Sequence, residues 1–220
     1  MKLSKTIYFL PLIPTVTEVI EIGHLPQTPR DWITDAIMTL VVGAMVWRIR
    51  QKEEALKKLS QTDGLTGLKN KRTFHIDLKS EVDRARRMNT SLIIAFLDVD
   101  HFKAVNDTHG HQIGDKLLQE LAKIVAAGVR QATDRSYRIG GDEFIVLMPQ
   151  KNENAIEGSE QTMNKIMESA IGMLKPWGAG LSIGLTRLNQ EESAEDFLNR
   201  ADELMYKQKQ INHSKNVDES

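Results

Sequence analysis

The sequence predicts an α/β chain of the α+β kind. Its main domain is a central antiparallel-mixed sheet flanked by helices, behind an apolar N-terminal stretch and a helical stalk. Three observations predict this. From residue 62 onward, apolar runs of strand length alternate with amphipathic runs of helix length. One pair of runs is joined through adjacent glycines in RIGGDEFIVL, 138–147. The first 50 residues carry long apolar blocks that recur nowhere later in the chain.

Composition narrows the function classes. Lys plus Arg is 29 and Asp plus Glu is 30 in 220 residues, a net charge of -1. There is no global basic field, so nucleic acid is not expected as a partner. There are no cysteines, which excludes disulfides, thiol nucleophiles and cysteine-based zinc sites.

The elements follow in chain order. Residues 7–22 are largely apolar but interrupted by Pro11, Pro14, Glu18 and Glu21. After a polar link, 32–47 is apolar with Trp32 and Trp47 at its ends. At ~1.5 Å per residue this block spans about 24 Å, short of a ~30 Å hydrocarbon core. The flanking tryptophans suit the membrane interface, and Arg48, Arg50 and Lys52 would hold that end in the cytoplasm. Residues 1–47 are therefore expected to be a membrane anchor of one or two transmembrane helices. The alternative is a buried helix of a soluble domain. Residues 48–61 form a charged helical linker, with Val42, Ile49 and Leu56 seven apart, as in a short coiled-coil stalk; Lys52 interrupts the other seam.

Residues 62–67 are a turn cluster and a natural domain start. A helix is expected over 71–88, a buried strand over 91–97 and a helix over 114–129. A β-hairpin follows over 137–148, tight around Gly140-Gly141 and stopped by Pro149. A helix over 156–174, a strand over 181–186 and a helix over 194–209 complete the domain. The order suggests a ferredoxin-like, palm-like sheet. The polar tail, 212–220, is expected to fray.

Two strands end in acid. Asp98 and Asp100 flank Val99 and, two apart on a strand, point to one face. Asp142 and Glu143 open the next buried strand. If these strands are neighbours, the like charges repel unless a cation sits between them. Such carboxylates suit Mg²⁺, which keeps waters and takes substrate phosphates as further ligands. The plain alternative is a set of solvated turn and strand-end acids.

GGDEF at 140–144 resembles the signature of the GGDEF diguanylate cyclases, enzymes that join two GTP molecules into cyclic di-GMP and release two pyrophosphates. The resemblance covers 62–211. It includes DGLTGLKNKRTF at 63–74, LDVDHFKAVNDTHGHQIGD at 97–115, LSIGLT at 181–186 and ADELMYKQK at 201–209, all in the family's order. It implies a metal site of Asp98, the Val99 carbonyl, Asp142 and Glu143, holding up to two Mg²⁺ ions per GTP, with Mn²⁺ as a substitute. Asp142 would also help remove the proton of the attacking hydroxyl, and Lys103 would stabilise transition-state charge. Gly140 and Gly141 would let the backbone pass close to the triphosphate. Asn106 and Asp115 would read guanine, His111 would contact substrate, and Lys209 would neutralise the outer phosphates. Because each domain holds one GTP, the resemblance implies a homodimer. The implied setting is the cytoplasmic side of a bacterial inner membrane, with lipid as the anchor's partner.

Two departures stand out. The family's product-inhibition site has Arg-x-x-Asp; here Asp134 is present but Gln131 holds the Arg position, so that site is expected to be absent. Arg130 is one residue off register and is expected to point to the other face. The family's last helix continues into Gly-Arg-Asn, where this chain has Asn212-His213-Ser214. A catalytically weak module that binds GTP for regulation is the alternative function; a polymerase or adenylyl cyclase is a third, disfavoured by Asn106 with Asp115.

Overall fold

The computed structural model describes residues 28–151 and 156–218. The expectation for 7–22 lies outside the described residues. The chain divides into two compact units, one ending at Leu59 and one beginning at Ser60.

The first unit contributes helix α1, Pro29–Leu59, 31 residues long. The apolar block and the charged stalk are thus one continuous helix. Its apolar window, Trp32–Lys52, is 21 residues with a mean hydropathy of 1.4. At ~1.5 Å per residue that is about 32 Å, which corrects the shorter length read from 32–47 alone. Trp32 and Trp47 are both exposed.

In the second unit, strand β1 (Lys69–Asn70) leads directly into α2 (Lys71–Met88). Asn70 caps α2: its side-chain oxygen accepts from the Thr73 N–H at 3.0 Å. Strand β2, Ser91–Asp100, runs three residues past the expected end and includes both aspartates. The helix expected over 114–129 is α4 (His111–Gly128), and a helix that the sequence did not suggest, α3 (Phe102–His109), comes before it. They are separated at Gly110, whose φ is +83°. In α3 only Val105 is buried, and eight residues with one core position give no helical period to read.

Strands β3 (Arg135–Arg138) and β4 (Glu143–Gln150) form the hairpin. β4 continues through Pro149, which pairs with Leu92, so the proline does not stop the strand. Helix α5 (Ile156–Leu174) is followed by a short 3-10 turn, Lys175–Trp177, and strand β5 (Gly180–Arg187). Helix α6 runs Ala194–Asp218, well beyond the expected end at 209. No glycine or proline lies between Arg187 and Asp218 to stop it.

The sheet is mixed, in the order β1-β3-β4-β2-β5. β2 pairs antiparallel with β4 and β5, β3 antiparallel with β4, and β1 parallel with β3. Alternation along β2 decides which helices cover which face. Ile93, Ala95, Leu97 and Val99 pack with α4 and α5. Leu92, Ile94 and Phe96 pack with Phe74 and Leu78 of α2 and with Phe197 and Met205 of α6. By the same parity Asp98 and Asp100 belong to the α2–α6 side, as does Glu143, in step with Ile145 and Leu147 of β4.

Candidate active site at the acidic end of the sheet

The β2–β4 register makes Asp98 and Glu143 direct partners. Paired residues on one face of an antiparallel sheet have their Cβ atoms about 5 Å apart. The Val99 N–H donates to the Asp142 carbonyl at 3.3 Å, which ties the loop carrying Asp142 to β2. Neighbouring strands therefore do bring the acids together. Asp98 and Asp100 are buried, and Asp142 and Glu143 half-buried.

Positive charge at this end is scarce. The Lys209 ammonium of α6 donates to Asp98 Oδ1. The resemblance assigns Lys209 to outer phosphates; here it sits on the acid instead. Burial pushes the Asp98 carboxyl up; Lys209 opposes this, and Asp142 and Asp100 add to it. Burial also pushes Glu143 up, reinforced by Asp98, Asp142 and Asp202 and opposed by Lys71. Burial works against the charged Lys209, but its hydrogen bond to Asp98 and the charges of Asp98, Asp100 and Asp142 hold its pKa above the usual lysine value.

Among the described residues, no three acid or histidine side chains by themselves surround one point as a metal cage. The group instead offers hard oxygen donors with surplus negative charge. That fits Mg²⁺, which completes its shell with water and substrate oxygens.

The glycines act differently from a tight two-residue turn. The connection is a three-residue loop, 140–142, closed by the Ile139 N–H donating to the Glu143 carbonyl at 3.0 Å. Neither Gly140 nor Gly141 has a positive φ. What excludes a side chain at Gly140 is Glu143: a Cβ there would lie 2.1 Å from its Oε2. Arg138 holds the loop from outside, its Nη2 donating to the Gly141 carbonyl at 2.7 Å and its Nη1 to Asp63 Oδ1 at 2.9 Å. Asp63 also accepts from Thr66. Burial favours the neutral acid at Asp63, yet these hydrogen bonds hold its carboxyl below the usual value. Sequence reasoning missed this clamp; a charged residue two positions before Gly140 was its only signal.

The proposed base-reading residues lie on the two helices that follow β2. Asn106 is half-buried on α3, and its Oδ1 is buried without a hydrogen-bond partner. It presses on α4 at Gly114, where a Cβ would come within 2.0 Å of it. Asp115 is the next residue of α4, so the fold sets the Asn106 and Asp115 positions beside each other. Asp115, His111 and Lys103 are exposed.

Arg130 does not point away from Asp134. It lies in the turn after α4, where strand alternation does not apply, and its Nη2 donates to Asp134 Oδ1 at 2.7 Å. Gln131 turns back to α4, donating to the Ala126 carbonyl at 3.0 Å. The side chain of His213 lies outside the described residues.

Comparison with known proteins agrees with this geometry. Residues 60–215 match the family model described as "Diguanylate cyclase, GGDEF domain". The chain is 32% identical over 191 residues to diguanylate cyclase DgcS of Shewanella oneidensis, covering 84% of this chain and 61% of that protein. It is 35% identical over 170 residues to diguanylate cyclase DgcP of Escherichia coli, covering 76% of this chain and 49% of that protein. The chain thus spans about half the length of these curated relatives. The coiled coil and GGDEF domain of DgcB from Caulobacter crescentus, solved with c-di-GMP, superposes with a TM-score of 0.61 at 26% identity, covering 78% of this chain and 92% of that one.

Proposed function

Because the chain belongs to the GGDEF family, we propose that it is a diguanylate cyclase acting as a membrane-tethered homodimer. The observation that carries this reading is the Asp98–Glu143 pair with Asp142 tied beside it through Val99. In each half-reaction the 3′-oxygen of one GTP bonds to the α-phosphorus of the other, and pyrophosphate leaves. Two such steps close the ring. Asp142 takes the hydroxyl proton, directly or through water. Mg²⁺ held by Asp98, Asp142, Glu143 and the Val99 carbonyl would supply charge neutralisation for the displacement.

Asn106 and Asp115 would accept from the guanine N–H groups, a pattern adenine does not offer. His111 would contact the substrate and Lys103 would meet charge developing on the phosphates. Lys209 would shift from Asp98 towards the triphosphate when metal is bound. The four longer strands, in the order β3-β4-β2-β5, support the ferredoxin-like, palm-like reading of the catalytic domain.

We read 1–47 as the anchor, 48–61 as the stalk and the region from 62 as the catalytic domain. The 21-residue apolar window with exposed tryptophans supports the anchor. Each domain holds one GTP, so the two-GTP product requires two domains face to face.

The test incubates the full chain in membranes with GTP and Mg²⁺ and separates the nucleotides. Cyclic di-GMP with two pyrophosphates is expected. Bound but unchanged GTP would replace this reading by that of a regulatory module. Retention of the chain in the membrane fraction through a high-salt wash checks the anchor.

A further inference from the structure

Asn212 lies three residues past Lys209 on α6, in the place where the resemblance has the glycine of Gly-Arg-Asn. Its side chain is fully engaged. Nδ2 donates to Asp100 Oδ2 at 3.1 Å and to Ser182 Oγ at 3.0 Å. The Ser182 hydroxyl donates to Asp100 Oδ1 at 2.7 Å. Gln208 Nε2 donates to Asn212 Oδ1 at 3.0 Å. Asp100 and Ser182 are buried on the neighbouring strands β2 and β5, where Ser182 is the register partner of Asp98.

Residues three apart on a helix share a face, as do residues two apart on a strand. Lys209 and Asn212 therefore meet Asp98 and Asp100 as two rungs, one an ion pair and one a hydrogen bond from an uncharged amide. A lysine on its own is a flexible point charge with freely rotating donors. The amide rung fixes the helix turn from which that charge is presented. A glycine at 212 has no side chain and could not form it.

We propose that Asn212 is a positioning residue: by latching the late turns of α6 to the Asp100–Ser182 pair, it sets the place of the Lys209 ammonium and thereby GTP affinity. The inference rests on the cyclase reading above. It is specific to this chain, because the latch is made by a side chain that the resembled motif lacks.

The experiment uses the full chain in membranes and compares Asn212→Gly, Ser182→Ala, Lys209→Ala and the Asn212→Gly/Lys209→Ala pair. Binding of a non-hydrolysable GTP analogue is measured by titration, alongside kcat and KM. Asn212→Gly and Ser182→Ala should each weaken analogue binding and raise KM about three- to tenfold, the scale of a single hydrogen bond, because the loss reaches GTP only through Lys209. The value of kcat should change less. In the Lys209→Ala background, Asn212→Gly should add little, because the residue acts through that lysine. Equal losses in both backgrounds, or unchanged affinity in Asn212→Gly and Ser182→Ala, overturn the proposal. A wild-type chain that binds the analogue but forms no cyclic di-GMP counts against the cyclase reading alone, since the affinity comparison still decides the role of Asn212.

Discussion

Asp134 and Asp98 are equally buried, each with 7% of its surface exposed, yet their surroundings are opposite. Asp134 is saturated by its own turn. Its Oδ2 accepts the Arg130 backbone N–H at 2.9 Å, the Arg130 guanidinium grips both oxygens, and the Thr133 hydroxyl reaches Oδ1 at 3.2 Å. Asp98 has one ammonium, while Glu143 pairs with it across the strands and Asp142 and Asp100 repel it. A buried acid whose lone pairs are filled locally is part of the framework. A buried acid crowded by others carries like-charge repulsion that a cation would relieve. Burial is thus the same at both ends, and what differs is how many like charges share each site.

The largest expected effect is at the crowded end. Asp142→Ala should cut cyclic di-GMP formation by about a hundred- to a thousandfold, as loss of a central electrostatic group does. Thermal stability should hold or rise, because a repelling charge is removed. A variant that turns over normally would break the contrast.

At the saturated end, the wild type should show no product inhibition and Gln131→Arg should introduce it. The gain should be roughly ten- to hundredfold in product affinity, about 1.5–3 kcal/mol for a charge-assisted contact. Initial rates with added cyclic di-GMP measure it. Strong inhibition of the wild type at a site away from the catalytic acids would show that Arg130 already serves product while paired with Asp134.

Arg130→Ala should cost about 2 kcal/mol in urea unfolding, less than a fully buried pair because the guanidinium is half-exposed. Unchanged stability would mean that the backbone N–H and Thr133 suffice to hold Asp134.

The smallest effect concerns pH. With divalent ions chelated, the folded state binds protons more tightly than the unfolded chain at Asp98 and Glu143, whose pKa values are raised. These two groups therefore lower stability as pH rises through their folded values. Asp77 behaves oppositely. Burial raises its pKa, but hydrogen bonds from Lys69 and Tyr137 leave it below the usual value. Its contribution is present above the unfolded pKa and lost as pH falls through the folded one. Glu143→Gln should flatten the first dependence and leave the second, by less than about 1 kcal/mol. Unfolding curves across the acid range check this; an unchanged slope after Glu143→Gln would show that Glu143 does not feel Asp98.

Much of the fold was legible because its signals are local. The helix expected over 71–88 and that over 156–174 match α2 and α5 end for end, since each carries a full amphipathic period between clear breaks. The strand acids were legible as well, because period two places Asp98 and Asp100 on one face wherever the strand lies. Less was legible where the deciding partner is distant. α3 has a single core residue, and its end depends on Gly110. Arg130 was misplaced because a turn was read as a strand. The Arg138–Asp63 and Asn212–Asp100 contacts join residues 75 and 112 positions apart, and no local pattern announces either.

The sequence by itself determined the types of the longer elements, the shared face of Asp98 and Asp100 and the inventory of acids, because alternation and helical period follow from backbone geometry. Only the tertiary structure decided that Lys209 rests on Asp98, that Gly140 yields its space to Glu143 and that Asn212 locks α6 to Asp100. Each of these depends on which strand or helix lies next to which, and that is settled by packing two hydrophobic faces of one sheet at once.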